Sequence, residues 1–172
     1  MFLTILVLMI PVLLVTWFFT RDPEEPPVES VDWQSVIAEA QKADEFAITT
    51  IPALPEGWRA TKAVWVETGE PLPSGDPAAG PTLELGFLSE DELYFAVNQT
   101  PSATAGYLGH VTRAGNKIGQ VDMGGRQWDH FVSPDQRTHS LVHQRPDGVS
   151  LVLVSDAGLE RLSQVAGLLQ GG

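Results

Sequence analysis

The hydrophobic pattern changes three times along the chain. The first stretch has no polar face: between Phe2 and Phe19 lie 18 residues without a charge. As a helix rising 1.5 Å per residue this run would reach ~27 Å, close to the hydrocarbon thickness of a bilayer. Trp17 sits near its outer end, where an amphipathic ring suits the headgroup level. A cleaved signal would need a basic start and a small-residue exit. Here Met1 leads straight into the core and the exit reads "TWFFTRDPEE". Residues 1–20 are therefore expected to be a retained transmembrane anchor, with the N-terminus inside and the bulk of the chain outside. "RDPEEPPVES" (21–30) follows, with three prolines and four carboxylates. That composition predicts an extended, self-repelling linker.

The second pattern has a helical period. In "SVDWQSVIAEAQKA", Trp33, Val36, Ile37 and Ala40 fall at i, i+3, i+4 and i+7, with Asp32 as N-cap and Val31 stapled to Val36. "LPEGW" predicts a fixed turn with Trp58 packed inward.

The third pattern has a period of two. Leu83, Leu85 and Phe87 share one face of a strand over 82–88, and Leu93, Phe95 and Val97 supply a matching face. Strands are expected over 117–123, 126–132, 138–145 and 149–154. They are joined by "GG", "SPDQ" and "RPDG", whose chemistry suits antiparallel hairpins. Residues 149–154 are apolar on both faces, as in a central covered strand. A short helix is expected after Thr100 as N-cap, with Pro101 at its first position. A last helix over 156–169 is expected to be capped by Ser155 and to bury Leu159, Leu162, Val165, Ala166 and Leu169. The proline- and glycine-rich segment 69–81 reads as a mobile loop. Residues 31–172 thus make one α+β domain, an antiparallel sheet packed by helices.

Composition removes whole classes of chemistry. The net charge of −12 lies wholly beyond the hydrophobic run and argues against nucleic acid as a partner. The absence of cysteine excludes disulfides, thiol nucleophiles and zinc–thiolate sites. Of the four histidines, His139 and His143 stand at i and i+4 of one strand, ~13 Å apart, too far to share an ion. His130 is placed on the neighbouring strand. All three read as surface or rim residues. No G-x-S-x-G elbow, phosphate loop or calcium loop is present. "NQT" at Asn98 matches a glycosylation triplet, and "SEDE" reads as a solvated hairpin tip. No catalytic, cofactor-binding or metal-binding residue is assigned, and no cofactor is expected.

The segments "LVLMIPVLLV", "VDWQSVIAEAQ", "LPEGWRAT", "LELGFL", "GGRQWDHF" and "GLERLSQVAGLL" together resemble the domain of unknown function 4245 family, a group of actinobacterial membrane-anchored proteins without assigned activity. The resemblance covers nearly the whole chain, and its motifs are structural. It implies an extracytoplasmic domain facing the cell wall. A weaker likeness is to α+β domains of the PsbP/Mog1 type, which serve as ligand-binding or assembly modules. The functional expectation is a membrane-tethered, non-enzymatic module that binds a protein partner or an apolar ligand, or is an accessory subunit of an envelope membrane complex. The competing expectation is a cell-envelope enzyme using carboxylates and His130 in a cleft.

Overall fold

The computed structural model describes residues 30–171. The expected anchor and nearly all of the linker lie outside them. Among the described residues no helix is long and apolar enough to cross a membrane.

Seven strands build one antiparallel sheet: β1 (Arg59–Val66), β2 (Thr82–Leu88), β3 (Tyr94–Thr100), β4 (Asn116–Met123), β5 (Arg126–Val132), β6 (His139–Gln144) and β7 (Ser150–Ser155). Their order across the sheet is β1-β2-β3-β7-β6-β5-β4. Two meanders, β1 to β3 and β4 to β7, therefore meet where β7 pairs with β3, with Val97 opposite Leu153. That junction puts β7 in the middle, and all six of its residues are buried. The run that is apolar on both faces occupies a position where both faces are covered.

Cross-strand partners share a face of the sheet. Leu83, Leu85, Phe87, Phe95, Val97, Trp128, Leu141, Leu151 and Leu153 all fall on the first face. Two helices cover it, α1 (Trp33–Ala43) and α3 (Gly158–Leu168). They contribute Ile37 and Ala40 from one, and Leu162, Val165 and Ala166 from the other. Trp33 meets Phe87 edge-on at 5.9 Å between centroids, and Trp58 stacks on Phe95 at 4.6 Å. The predicted inward turn of "LPEGW" is present. The second face carries Ala96, Val152 and Val154 under Leu108 and Val111 of α2 (Ala105–Val111), the short crossover helix between the meanders.

Local signals agree with the helix starts in one place and move in two. Asp32 caps α1 by accepting from the Ser35 amide at 3.2 Å. Thr100 ends β3 instead of opening a helix. The cap of α2 is Thr104, which accepts from the Tyr107 amide at 3.1 Å. Ser155 closes β7, and its hydroxyl accepts from the Ala157 amide at 2.8 Å, so α3 begins at Gly158.

Segment 69–81 departs most from its expectation. It folds into a small hairpin in which Gly69 donates to Ala78, Ala78 to Glu70 and Leu72 to Asp76, each at 2.8 Å. Leu72 and Ala78 are buried with Val66 and Tyr107. Pro71 and Pro77 bridge the two arms. Prolines restrict the unfolded chain, so this segment loses less entropy on ordering than its low apolar content suggests.

Candidate functional site

The second face is only partly closed by α2, and the space beside that helix holds the candidate site. β1 brings Lys62, β2 brings Glu84, and β3 brings Tyr94, Ala96 and Asn98. His110 and Val111 from α2, with Arg113 just beyond it, form the opposite wall. They line a cavity of about 230 Å³. A second cavity of about 260 Å³ lies between the 69–81 hairpin and α2, bordered by Leu72, Thr82, Ser102 and Tyr107. His110 lines both.

Strand alternation explains how charge comes to sit here. Leu83 and Leu85 point into the main core, so Glu84 must point to the other face, where it is only 4% exposed. A buried carboxylate needs a partner, and Lys62 Nζ lies 2.5 Å from its Oε2. Lys62 follows an irregularity in the β1 register. Gly86, two residues on and on the same face, leaves room for Tyr94. A Cβ there would lie 2.9 Å from the Tyr94 hydroxyl. Burial pushes the Tyr94 phenol up from its usual range, and the Glu84 charge adds to this. Tyr107 is raised further, again by burial first and Glu84 second. Its hydroxyl is buried close to that carboxylate.

Arg113 closes one end of the site. It adopts φ of 53°, donates to Asp156 at 3.0 and 3.1 Å, and donates to Thr138 at 2.9 Å. Thr138 in turn donates to Asp156 at 2.7 Å. Charges of both signs and several hydrogen-bonding groups thus converge on one space. The lining can hold and orient a polar ligand.

Of the three histidines expected at rim positions, His139 and His143 are half-buried and His130 is buried. His139 and His143 do stay apart on β6. His130, however, lies opposite Leu141 and diagonal to His139. Its Nε2 is 3.0 Å from His139 Nδ1, and it is only 7% exposed. Burial, followed by the neighbouring imidazole, lowers the His130 pKa. His143 lies beside Trp128, with Nδ1 2.8 Å from the Gln127 carbonyl. The carboxylate adjacent in sequence, Asp129, binds Lys117 and Gln120, and the alternation of β5 puts it on the opposite face from His130. His130 is therefore paired with an imidazole and lies outside the groove beside α2. Among the described residues no group of three or more His, Asp or Glu could hold a metal ion. Asn98 of "NQT" is buried in a central strand and lines the cavity, away from any surface loop.

The family described as "Protein of unknown function (DUF4245)" matches residues 1–169. The chain belongs to that family. Curated proteins give no match to this DUF4245 chain. A solved structure described as the complex structure of Pseudomonas aeruginosa MucA/MucB contains a chain similar to it at 18% identity and a TM-score of 0.38. The similarity covers 71% of this chain and 34% of that one. The DUF4245 chain thus matches about a third of the length of that solved chain.

Proposed function

We propose that the chain is a membrane-tethered, non-enzymatic module of the cell envelope that holds a partner protein in the groove beside α2. The observation that supports this best is the groove itself, where fixed charges and hydrogen-bonding groups converge in a space open to solvent. The polar lining suits a segment of a protein more than an apolar ligand. In this reading residues 1–20 anchor the chain and residues 21–30 extend away from the bilayer. Residues 31–172 then work outside the cytoplasm, as a free-standing receptor or as an accessory subunit of an envelope membrane complex.

A photo-cross-linking amino acid at His110, at the mouth of both cavities, should capture a defined protein in intact cells. The same group at Gln164, on the exposed side of α3, should not. Capture at His110 should fall when Val111→Trp fills the groove. Equal capture at both positions, or capture that is indifferent to the filled groove, would rule the site out.

A further inference from the structure

We infer that the group this groove receives is the basic side chain of an arginine or lysine on the partner protein, and that Lys62 occupies its position in the free chain. The inference rests on the binding reading above and adds the chemistry of the ligand.

The Lys62–Glu84 pair lines the first cavity, and the Arg113–Asp156 pair meets it through the Arg113 guanidinium; in both the carboxylate is the more buried member. Side-chain exposure is 33% for Lys62 against 5% for Glu84, and 52% for Arg113 against 34% for Asp156. A lysine on an outer strand can swing its long stem and rehydrate its ammonium. Glu84, with a shorter stem and 5% side-chain exposure on the next strand in, cannot follow it into water. An unpaired buried carboxylate is strongly destabilising, so a departing cation must be replaced by another. At Glu84 the fixed, buried charge is therefore the carboxylate, and its cation is the exchangeable member.

The remaining groups suit a guanidinium or ammonium better than an anion. A guanidinium can bind a carboxylate through two parallel hydrogen bonds and still offer further donors. The amide oxygen of Asn98 and the hydroxyl oxygen of Tyr94 are acceptors in the same lining. The buried Tyr107 hydroxyl lies close enough to the Glu84 carboxylate to feel its charge and to help hold it in place. The chain's net charge of −12 draws cationic partners towards it and repels acidic ones. A second cavity of about 260 Å³, sharing His110 with the first, favours a side chain with flanking backbone over a free amine.

The full chain in non-ionic detergent can be titrated with acetyl-Gly-Arg-Gly-amide, its glutamate counterpart, and spermidine. Binding is read from NMR shifts of the Asn98 side-chain amide and the Ala96 and Val154 backbone amides. The arginine peptide should shift these signals to saturation while the glutamate peptide leaves them in place. Glu84→Gln should weaken the arginine peptide by roughly tenfold or more, the scale expected when one side of a buried charge pair is neutralised. Lys62→Ala should tighten it by about threefold or more, because the internal competitor is gone and more of the chain is competent to bind. Tyr107→Phe keeps the ring and should weaken binding about threefold, the scale of one net hydrogen bond, which preserves the test if Glu84→Gln does not fold. Shifts caused equally by the glutamate peptide would overturn the basic preference while leaving the groove a binding site. Spermidine binding as tightly as the arginine peptide would overturn the partner side chain as the source. Failure of Lys62→Ala to tighten binding, or absence of any shift, would overturn the inference, with the His110 cross-link deciding the groove separately.

Discussion

Truncating Leu162 to alanine tests whether α3 is part of the core. Leu162 is fully buried at the centre of the stripe that includes Val165 and Ala166. α3 lies across β7, β6 and β4, where Leu141, Leu151 and Leu153 form a floor with no exposed surface. The substitution deletes three carbons, and at about 0.8 kcal/mol per buried methylene this removes ~2.4 kcal/mol of transfer energy. A rigid sheet below allows little collapse. A residual cavity of roughly 50 Å³ at about 24 cal/mol per Å³ would then add ~1.2 kcal/mol. The expected loss is ~3.5 kcal/mol, equivalent to a fall of roughly 7–14 °C in Tm for a domain of this size. Alanine is the better helix former, so the loss cannot come from propensity. Urea unfolding of the full chain in detergent, followed by tryptophan fluorescence, reads it as a lower midpoint with an unchanged slope. Leu159→Ala, half-buried on the same helix, should cost only about 1 kcal/mol. A Leu162→Ala midpoint within 0.5 kcal/mol of the parent, or equal costs at the two sites, would refute the packing argument.

Three further outcomes are expected. His130 is held below its usual 6.5, so on acidification the unfolded chain takes up a proton before the folded one. The stability this contributes is complete above pH 6.5 and is lost as pH falls below it, and His130→Gln should flatten the dependence in urea melts between pH 7.5 and 5.5. An unchanged slope in the variant would show that other groups set it. Replacing residues 72–79 by a short Gly–Ser link should destabilise the domain by ~2 kcal/mol, the scale of one buried leucine. Hydrogen exchange should find the Leu72 and Ala78 amides protected, and rapid exchange there would restore the mobile-loop reading. Gly124 has φ of +58°, and a Cβ there would lie 2.7 Å from the Ala166 carbonyl oxygen. Gly124→Ala should therefore cost clearly more than the ~1 kcal/mol of left-handed strain alone seen at Gly125, whose added Cβ would meet nothing within 4 Å. Equal losses in thermal melts would mean that the turn shifts away from α3.

Much of the fold follows from period. Alternation assigned Leu83, Leu85 and Phe87 to one face, and they are in the main core. The turns "GG", "SPDQ" and "RPDG" join neighbouring antiparallel strands, because each supplies the backbone that a tight reversal needs. Alternation does not say which strands are neighbours. The pairing of β3 with β7, separated by the whole second meander, depends on contacts distant in sequence and is not written in either strand. The α2 cap shows a different limit. Thr100 and Thr104 are both competent caps, and Pro101 favours the first. Tertiary pairing decides for the second by drawing Thr100 into the β3 ladder opposite Ser150.

The site was hidden by the same alternation that revealed the core. In "LELGFL" a charged residue between leucines reads as an outward position on a solvated face, which is the usual outcome for an antiparallel sheet. Here α2 crosses that face, so Glu84 is turned from a surface charge into a buried one that must keep a cation. Local pattern states where a side chain points, and what it meets there depends on an element arriving from elsewhere. The histidine pair follows the same logic. Spacing within β6 correctly separates His139 from His143, yet the distance that matters is set by the β5–β6 register, which places His130 diagonal to His139. A one-residue slip of β5 would send His130 to the opposite face and dissolve the pair. The same slip would carry Trp128 out of the core, where it is fully buried and its indole donates to the Met123 carbonyl at 3.0 Å. Trp128 therefore enforces the register that creates the imidazole pair, so the pair exists only in the correctly aligned sheet.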